Sequence, residues 1–304
     1  MTSIEKLLNC RYPLLQGGMA YISQPKLVAA VSEAGGAGIL TSVGETPTSL
    51  KALIDEVRQL TSHTFGVNLM LQQNNIAELV EVIVQEKVPF VTTGAGNPAP
   101  YLRALKEAGI KVLAVVGSVY HAKKMDALGV DAIIAEGQES GGHIGEISSM
   151  VLIPQVVDAV SVPVIGAGGV YDHRSISAMI AFGAKGVQAG TIFLASQECQ
   201  IPNSYKEKLL DASEPATIVT GLKYGHPVRS LKTTLVAEYA EKEFSGASKE
   251  ELDACIGDAY HQAVVSETDH GCYLAGQVAA AIRRIETVQV IVDRLFPPKQ
   301  TGSK

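Results

Sequence analysis

Two glycine-containing segments of the chain could bind a phosphate group. Residues 167–169 (AGG) and residues 190–191 (GT) each follow an apolar run. Glycine lets backbone N–H groups approach an anion closely, and a helix that begins there adds favourable partial charge. The hydroxyl of Thr191 could add one more hydrogen bond. Many turns need glycine for geometry alone, but two such segments in successive turns favour a phosphate site.

One histidine stands in a setting that suits proton transfer. His143 lies within the glycine-rich stretch GGHIG, residues 141–145. An imidazole in such a loop could reach a bound ligand as a proton donor or hydrogen-bond donor. A plain surface-loop histidine is the alternative. Glu136, just upstream, could accept from a ligand hydroxyl, orient His143 or cap the next helix. His226 is a second candidate, whose role the sequence leaves open.

Other catalytic and metal-binding motifs are weak or missing. Residues 94–99 (GAGNPA) approach the dinucleotide fingerprint G-x-G-x-x-A, but no acidic residue ends a following strand at the required distance. The sequence holds no Walker A, G-x-S-x-G or H-E-x-x-H pattern. The four cysteines form no C-x-x-C pair and lie near no histidine at zinc spacing. We therefore predict no metal site, and we expect a reduced, cytoplasmic setting.

The elements that must position these residues alternate along the chain. Short apolar runs without polar alternation predict strands that are buried on both faces, as in a parallel sheet. Segments with 3.6-residue periodicity lie between them and predict helices. The predicted strands are 13–16, 37–41, 65–71, 90–93, 112–116, 132–135, 162–166 and 186–189. The helices with clear periodicity are 48–60, 76–86, 98–108, 119–128, 150–160 and 174–182.

Eight strands with intervening helices predict an α/β fold, a (β/α)8 TIM-type barrel over residues 1–194. A doubly wound open sheet is the alternative. In a barrel of this kind, the site lies at the C-terminal ends of the strands. Residues 195–304 show mainly helical periodicity and predict a smaller cap domain over one barrel mouth. A helix predicted over 275–295 would return to pack on the barrel.

Composition excludes several function classes. The 304 residues carry a net charge of −6 at pH 7, so we expect no nucleic-acid partner. No apolar run approaches the roughly 18 residues that a membrane span needs. The first residues, MTSIEKLLNCRYP, contain no apolar core typical of a signal peptide. We therefore expect a globular protein with neither a nucleic-acid nor a membrane partner.

At these loops the sequence resembles a known family, the flavin-dependent enoyl-[acyl-carrier-protein] reductases of the FabK type. These enzymes of bacterial fatty acid synthesis are relatives of the nitronate monooxygenases. The matching stretches follow one another along nearly the whole chain. They are QGGMA (16–20), FGVNLML (65–71), TTGAGNP (92–98), AEGQESGGHIG (135–145), VPVIGAGGV (162–170), VQAGTIF (187–193), YKEKLL (205–210), GHPVR (225–229) and LAGQ (274–277).

The resemblance implies a bound FMN and assigns residues to it. The FMN phosphate would lie on residues 167–169 and 190–191, and the ring would lie against residues 17–19. A turn of the cap would close over the ring, and the family's active-site histidine falls on His143. The implied FMN-binding residues are Gly17, Gly18, Met19, Asn68, Thr93, Glu136, Gly142, Ala167, Gly168, Gly169, Gln188, Gly190, Thr191, Ala275, Gly276 and Gln277.

The resemblance also implies an activity: reduction of trans-2-enoyl thioesters on acyl carrier protein by NADH or NADPH. A homodimer and a monovalent cation near the site are further implications. The alternative within the wider family is a nitronate monooxygenase that oxidises alkyl nitronates with O₂. Those enzymes commonly have a Q-A-P-M type sequence in the loop after strand 1, whereas residues 16–19 here read QGGM, as in the reductases. A flavin-binding sensor is a non-enzymatic alternative.

Two departures from the reductase pattern leave specificity open. Residues 138–140 read QES where reductases often carry Met-Glu-Ala, and the small Ser140 should be tolerated. Residues 240–258, within the predicted cap, match only weakly. The preference for NADH or NADPH, the acyl-chain length, the need for a cation and the oligomeric state are therefore not predicted.

Overall fold

Within residues 3–194, the chain forms nine strands and nine helices. The structure is a computed structural model and describes residues 3–297. The strands are β1 (Leu14–Gln16), β2 (Gly38–Thr41), β3 (Phe65–Met70), β4 (Phe90–Gly94), β5 (Lys111–Val116), β6 (Ala132–Glu136), β7 (Gly142–His143), β8 (Val164–Ala167) and β9 (Gly186–Ala189). The helices are α1 (Ile4–Leu8), α2 (Pro25–Glu33), α3 (Pro47–Leu60), α4 (Ile76–Gln85), α5 (Ala99–Glu107), α6 (Val119–Leu128), α7 (Ser149–Ala159), α8 (His173–Ala181) and α9 (Thr191–Leu194).

Eight of these strands form the predicted barrel. They are parallel and follow the order β1-β9-β8-β6-β5-β4-β3-β2. A parallel bridge between Leu15 and Ala37 joins β1 to β2, and Gln16 N donates to Ala37 O over 3.0 Å. This bridge brings the two ends of the sheet together. The (β/α)8 prediction is confirmed, and the open-sheet alternative is wrong.

The strands are buried on both faces, which explains their continuous apolar sequence. Alternate residues such as Ile39 and Phe90 fill the barrel interior, while the others pack outward against the helices. α1 adds Ile4 and Leu8 to the interior cluster. Several helices end at a glycine with positive φ, as the sequence predicts. These C-terminal glycines are Gly109 (φ +77), Gly129 (φ +77) and Gly183 (φ +97).

The last third of the chain contains a second sheet that the sequence did not predict. Its strands are β10 (Thr217–Thr220), β11 (Val228–Leu231) and the short β7, in the antiparallel order β10-β11-β7. The helices of this part are α10 (Asn203–Leu210), α11 (Thr234–Phe244), α12 (Lys249–Ile256), α13 (Ala259–Val265) and α14 (Val288–Leu295). The predicted domain boundary at residue 194 stays a prediction. The sheet crosses it, because β7 comes from the barrel half of the chain.

The single helix predicted over residues 275–295 is wrong. The structure has a 3₁₀-helix at Gln277–Ala281, then an irregular stretch, and then α14. α14 begins where the hydroxyl of Thr287 accepts from Val290 N, so a new N-cap interrupts the helical pattern. α14 packs against α2, α8 and α9. Within residues 3–297, no helix is long and apolar enough to cross a membrane.

Candidate active site

A cavity of about 760 Å³ opens at the C-terminal ends of the barrel strands. The loops after β1, β6, β8 and β9 line it, together with Tyr260 and Leu274 from the last third of the chain. The structure brings most of the predicted site residues to this one cavity. They are Gly17, Gly18, Met19, Asn68, Glu136, Gly142, His143, Ala167, Gly168, Gly169, Gln188, Gly190, Thr191 and Gly276.

Three predicted residues do not line the cavity. Thr93 is only 2% exposed, and strand alternation turns its side chain outward to the helices. Its neighbour Thr92 points inward instead, where Thr92 Oγ1 accepts from Asn68 Nδ2 over 2.9 Å. Ala275 is buried, with 1% exposure. Gln277 points its side chain to solvent, although its backbone N–H donates to Glu139 O over 2.9 Å.

The loop after β1 is built so that its backbone faces the cavity. A Cβ on Gly18 would lie 2.3 Å from Asn68 Cβ, so only glycine fits against this side chain. The buried Ser23 holds the loop from behind. Its Oγ accepts from Gln16 Nε2 over 2.7 Å and from Met19 N over 2.8 Å. A planar ring could therefore approach residues 17–18 without meeting a side chain from them.

The loops after β8 and β9 present free N–H donors. Gly168 and Gly169 adopt φ of +92° and +81°, which favour glycine. Within residues 3–297, the N–H groups of Gly168, Gly169, Gly190 and Thr191 donate to no protein acceptor. Such a cluster of donors fits the phosphate of FMN. α9 has only four residues, so its dipole is small. The N–H groups of these loops therefore contribute more to anion binding than the helix dipole that the sequence suggested.

His143 lies at the cavity on the edge strand of the second sheet. Its backbone pairs with Val228 of β11, and Ile144 N donates to Pro227 O over 3.1 Å. His226 also lines the cavity. His143 is solvent-exposed, but partial desolvation by the surrounding cavity, reinforced by the nearby His226, lowers its pKa. The imidazole is therefore neutral at neutral pH, and it can donate from one nitrogen and accept at the other.

Glu136 ends β6 at the floor of the cavity. Burial raises the pKa of its carboxyl to about 7, and the hydroxyl of Ser140 acts in the opposite direction. Near neutral pH this group is therefore poised between its protonated and charged forms. A protonated carboxyl can donate a hydrogen bond as well as accept one, which suits contact with a hydroxyl-rich ligand.

Glu139 and Tyr260 also line the cavity and were not singled out as site residues from the sequence. The Glu139 carboxylate accepts from Ser149 N over 3.0 Å and from Ser149 Oγ over 2.7 Å. Tyr260 donates its hydroxyl to Ala20 O over 2.7 Å and so joins α13 to the loop after β1. Glu139 lies inside a matched stretch and could have been found there. Tyr260 follows the weakly matched segment, where no motif marks it.

Comparison with known families and relatives agrees with this geometry. A family model described as nitronate monooxygenase matches residues 2–81 and 76–297. A relative in Rhodococcus jostii, named a (3aS,4S,5R,7aS)-5-hydroxy-7a-methyl-1-oxo-octahydro-1H-indene-4-carboxyl-CoA dehydrogenase, is 37% identical over 77% of this chain and 67% of its own. A probable nitronate monooxygenase of Staphylococcus aureus is 33% identical over 79% of this chain and 81% of its own.

Solved structures extend the similarity to the whole fold. FabK from Thermotoga maritima is 43% identical, with a TM-score of 0.92, and the match covers 97% of this chain and 95% of FabK. The nitroalkane oxidase of Streptomyces ansochromogenes is 27% identical, with a TM-score of 0.84, and the match covers 97% and 96% of the two chains. The chain therefore belongs to the nitronate monooxygenase family of flavin-dependent oxidoreductases.

Proposed function

We propose that the protein reduces the double bond of a trans-2-enoyl thioester, with FMN as bound cofactor and NADH or NADPH as reductant. The observation that carries this proposal is the position of the His143 imidazole at the edge of a cavity built of glycine turns. The 43% identity with FabK over nearly the whole chain supports the same activity. Relatives named as CoA dehydrogenases, at 37% and 36% identity, support a thioester substrate.

The residues present fit FMN, which, when bound, supplies the redox chemistry between the nicotinamide and the enoyl double bond. The free N–H groups of residues 168–169 and 190–191 would hold its phosphate. Gly17 and Gly18 would support the ring, because neither has a side chain to displace it. Glu136 would contact the hydroxyls of the ribityl chain.

His143 would face the thioester oxygen, on which negative charge develops as Cβ gains a hydride. Its N–H would stabilise that oxygen by a hydrogen bond, and a proton delivered to Cα by solvent or by the protonated imidazole would complete the saturated thioester. Because the imidazole is neutral, it donates this hydrogen bond without placing a further charge in the cavity. Donors aimed in this way typically contribute ~10²–10³ in rate.

The test is anaerobic and uses the FMN-loaded protein. NADH is added first, bleaching of the flavin is followed, and crotonyl-CoA is added next. Rapid return of the oxidised spectrum, with formation of butyryl-CoA, is the result we expect. Absence of bleaching by both NADH and NADPH would rule out the reductase.

The acyl carrier is a separate proposal. We propose acyl carrier protein as the carrier, because the resemblance is to carrier-dependent reductases. Crotonyl thioesters of CoA and of acyl carrier protein can be compared at equal concentration. A higher kcat/KM for the carrier-protein thioester would support this partner. Equal or lower values would favour a CoA substrate. The oligomeric state, proposed as a homodimer, can be measured by sedimentation.

Nitronate oxidation is the second candidate function. It is favoured by the similarity to the Streptomyces ansochromogenes nitroalkane oxidase and to the Staphylococcus aureus relative. A neutral His143 could also act on a nitro group, as a base or a hydrogen-bond donor. Oxygen uptake with an alkyl nitronate, in the absence of NADH, distinguishes this activity from enoyl reduction.

A further inference from the structure

Arg229 is an arginine buried beside the site, and no step of the proposed chemistry uses it. It lies on β11 and is only 6% exposed. Its backbone pairs with Gly142, and the preceding pair joins Val228 to His143. The strand that carries Arg229 is therefore the strand that aligns β7 and, with it, the backbone of His143.

The side chain of Arg229 fastens the loop that leads into β7. Its Nε donates to Gln138 O over 2.9 Å, and its NH1 donates to Thr217 Oγ1 on β10 over 3.0 Å. Burial lowers the pKa of Arg229, while the nearby carboxylate of Glu139 raises it. The guanidinium remains charged at physiological pH. One buried cation thus joins β10, β11 and the loop before His143.

Glu139 fastens the same loop on its other side. Its carboxylate accepts from the N–H and the hydroxyl of Ser149, at the start of α7. Ser149 Oγ also lies 3.1 Å from Gly168 O, in the proposed phosphate loop. The loop between β6 and β7 is therefore held between the second sheet and the barrel by two charged side chains.

We propose that Arg229 is a positioning residue that holds His143 in register with the ligand in the cavity. Arg229 does not line the cavity, so it acts through the loop and not by contact with substrate. Substitution of Arg229 should therefore slow the step that needs His143. This expectation rests on the proposed function. Hydride transfer from the nicotinamide creates no oxyanion, so that step should depend far less on the position of His143.

The test compares Arg229→Met and Arg229→Lys in the FMN-loaded protein. Arg229→Met should slow reoxidation by crotonyl-CoA by about 10²-fold, because small misplacements of catalytic groups cost rates of that order. Bleaching by NADH should change less than about threefold. Arg229→Lys keeps the charge but loses the forked donors, so its rate should fall between those of the wild type and Arg229→Met. Lys232→Met, at an exposed residue just beyond β11, should match the wild type.

A second readout does not depend on turnover. The pKa of His143 can be measured by NMR from the pH titration of its Cε1–H resonance. This pKa should change in Arg229→Met and Glu139→Gln but not in Lys232→Met. Unchanged rates and titrations in both Arg229 variants would overturn the proposal. Equal slowing of both half-reactions, with loss of FMN, would also overturn it, because that indicates a general structural role. If wild type is reoxidised neither by crotonyl-CoA nor by the crotonyl thioester of acyl carrier protein, the proposed function fails, and the titration still decides whether Arg229 positions His143.

Discussion

The backbone N–H of Gly276 donates a hydrogen bond to Thr191 Oγ1 over 2.9 Å, although 85 residues separate them. The approach is close, since a Cβ on Gly276 would lie 2.6 Å from Glu139 O and 3.2 Å from Thr191 Oγ1. One hydroxyl thus joins the LAGQ segment to the loop proposed to hold phosphate. Because it accepts from Gly276, its proton is free to be donated to a ligand.

Replacement of Thr191 by valine should therefore weaken FMN binding. Valine keeps the shape but removes both the acceptor for Gly276 and the donor to the phosphate. We expect the Kd of FMN to rise about tenfold, which corresponds to one hydrogen bond to a charged group. Titration of the FMN-free protein by flavin fluorescence measures this value. Thr191→Ser should bind nearly as well as wild type, and equal weakening in both variants would contradict the assigned role of the hydroxyl.

Gly168→Ala should abolish or severely weaken FMN binding. Its φ of +92° disfavours alanine, and the added Cβ would lie 2.9 Å from Ser149 Oγ and 3.0 Å from Gly137 O. Gly109→Ala is the matched control, because Gly109 has a φ of +77° and nothing within 4 Å of its Cβ position. Both should lose about 1–2 kcal/mol of stability from backbone strain. Only Gly168→Ala should lose FMN, and normal FMN content in it would argue against the phosphate loop.

Glu136 should make the stability of the FMN-free protein depend on pH. Its carboxyl has a pKa of about 7 in the folded protein, against an ordinary value of 4.5. Between these values the folded state keeps a proton that the unfolded state has lost. The free energy of unfolding therefore falls as pH rises through this window. The free energy of unfolding of Glu136→Gln, relative to that of wild type, should therefore increase by up to about 3 kcal/mol from about pH 5 to about pH 8.

Urea unfolding of the FMN-free wild type and Glu136→Gln, at both ends of this range, measures the difference. If the free energies of unfolding of the two proteins change with pH in the same way, folding does not destabilise the charged carboxyl of Glu136. That result would contradict the prediction. Glu78→Gln is a suitable control, because Glu78 is exposed on α4 and away from the cavity.

The barrel was predictable because its signal is local. Each strand is a short apolar run that ends in a polar or glycine residue, and the order of the runs along the chain specifies the topology. The orientations of Thr92 and Thr93, in contrast, could not be predicted from such an apolar run. A strand that is buried on both faces shows no alternation, so its sequence does not tell which threonine points into the barrel.

The last third of the chain was harder to predict because its signals are short and non-local. β10 and β11 are only four residues each, and β7, which pairs with β11, is two residues long and lies some 85 positions before it. No local pattern marks such a pairing. The break before α14, in contrast, had a usable signal, because Thr287 precedes an apolar periodic run as N-cap residues do.

The proposed role of His143 in the reduction of an enoyl thioester can be tested directly. The most direct measurement mixes NADH-reduced, FMN-loaded protein with crotonyl-CoA under anaerobic conditions, for wild type and for His143→Ala. Wild type should return to the oxidised spectrum with one butyryl-CoA per flavin. His143→Ala should bleach normally with NADH but reoxidise about 10²–10³-fold more slowly. Failure of wild type to reoxidise with the crotonyl thioesters of both CoA and acyl carrier protein, or a decrease of less than about tenfold in His143→Ala, would contradict this role.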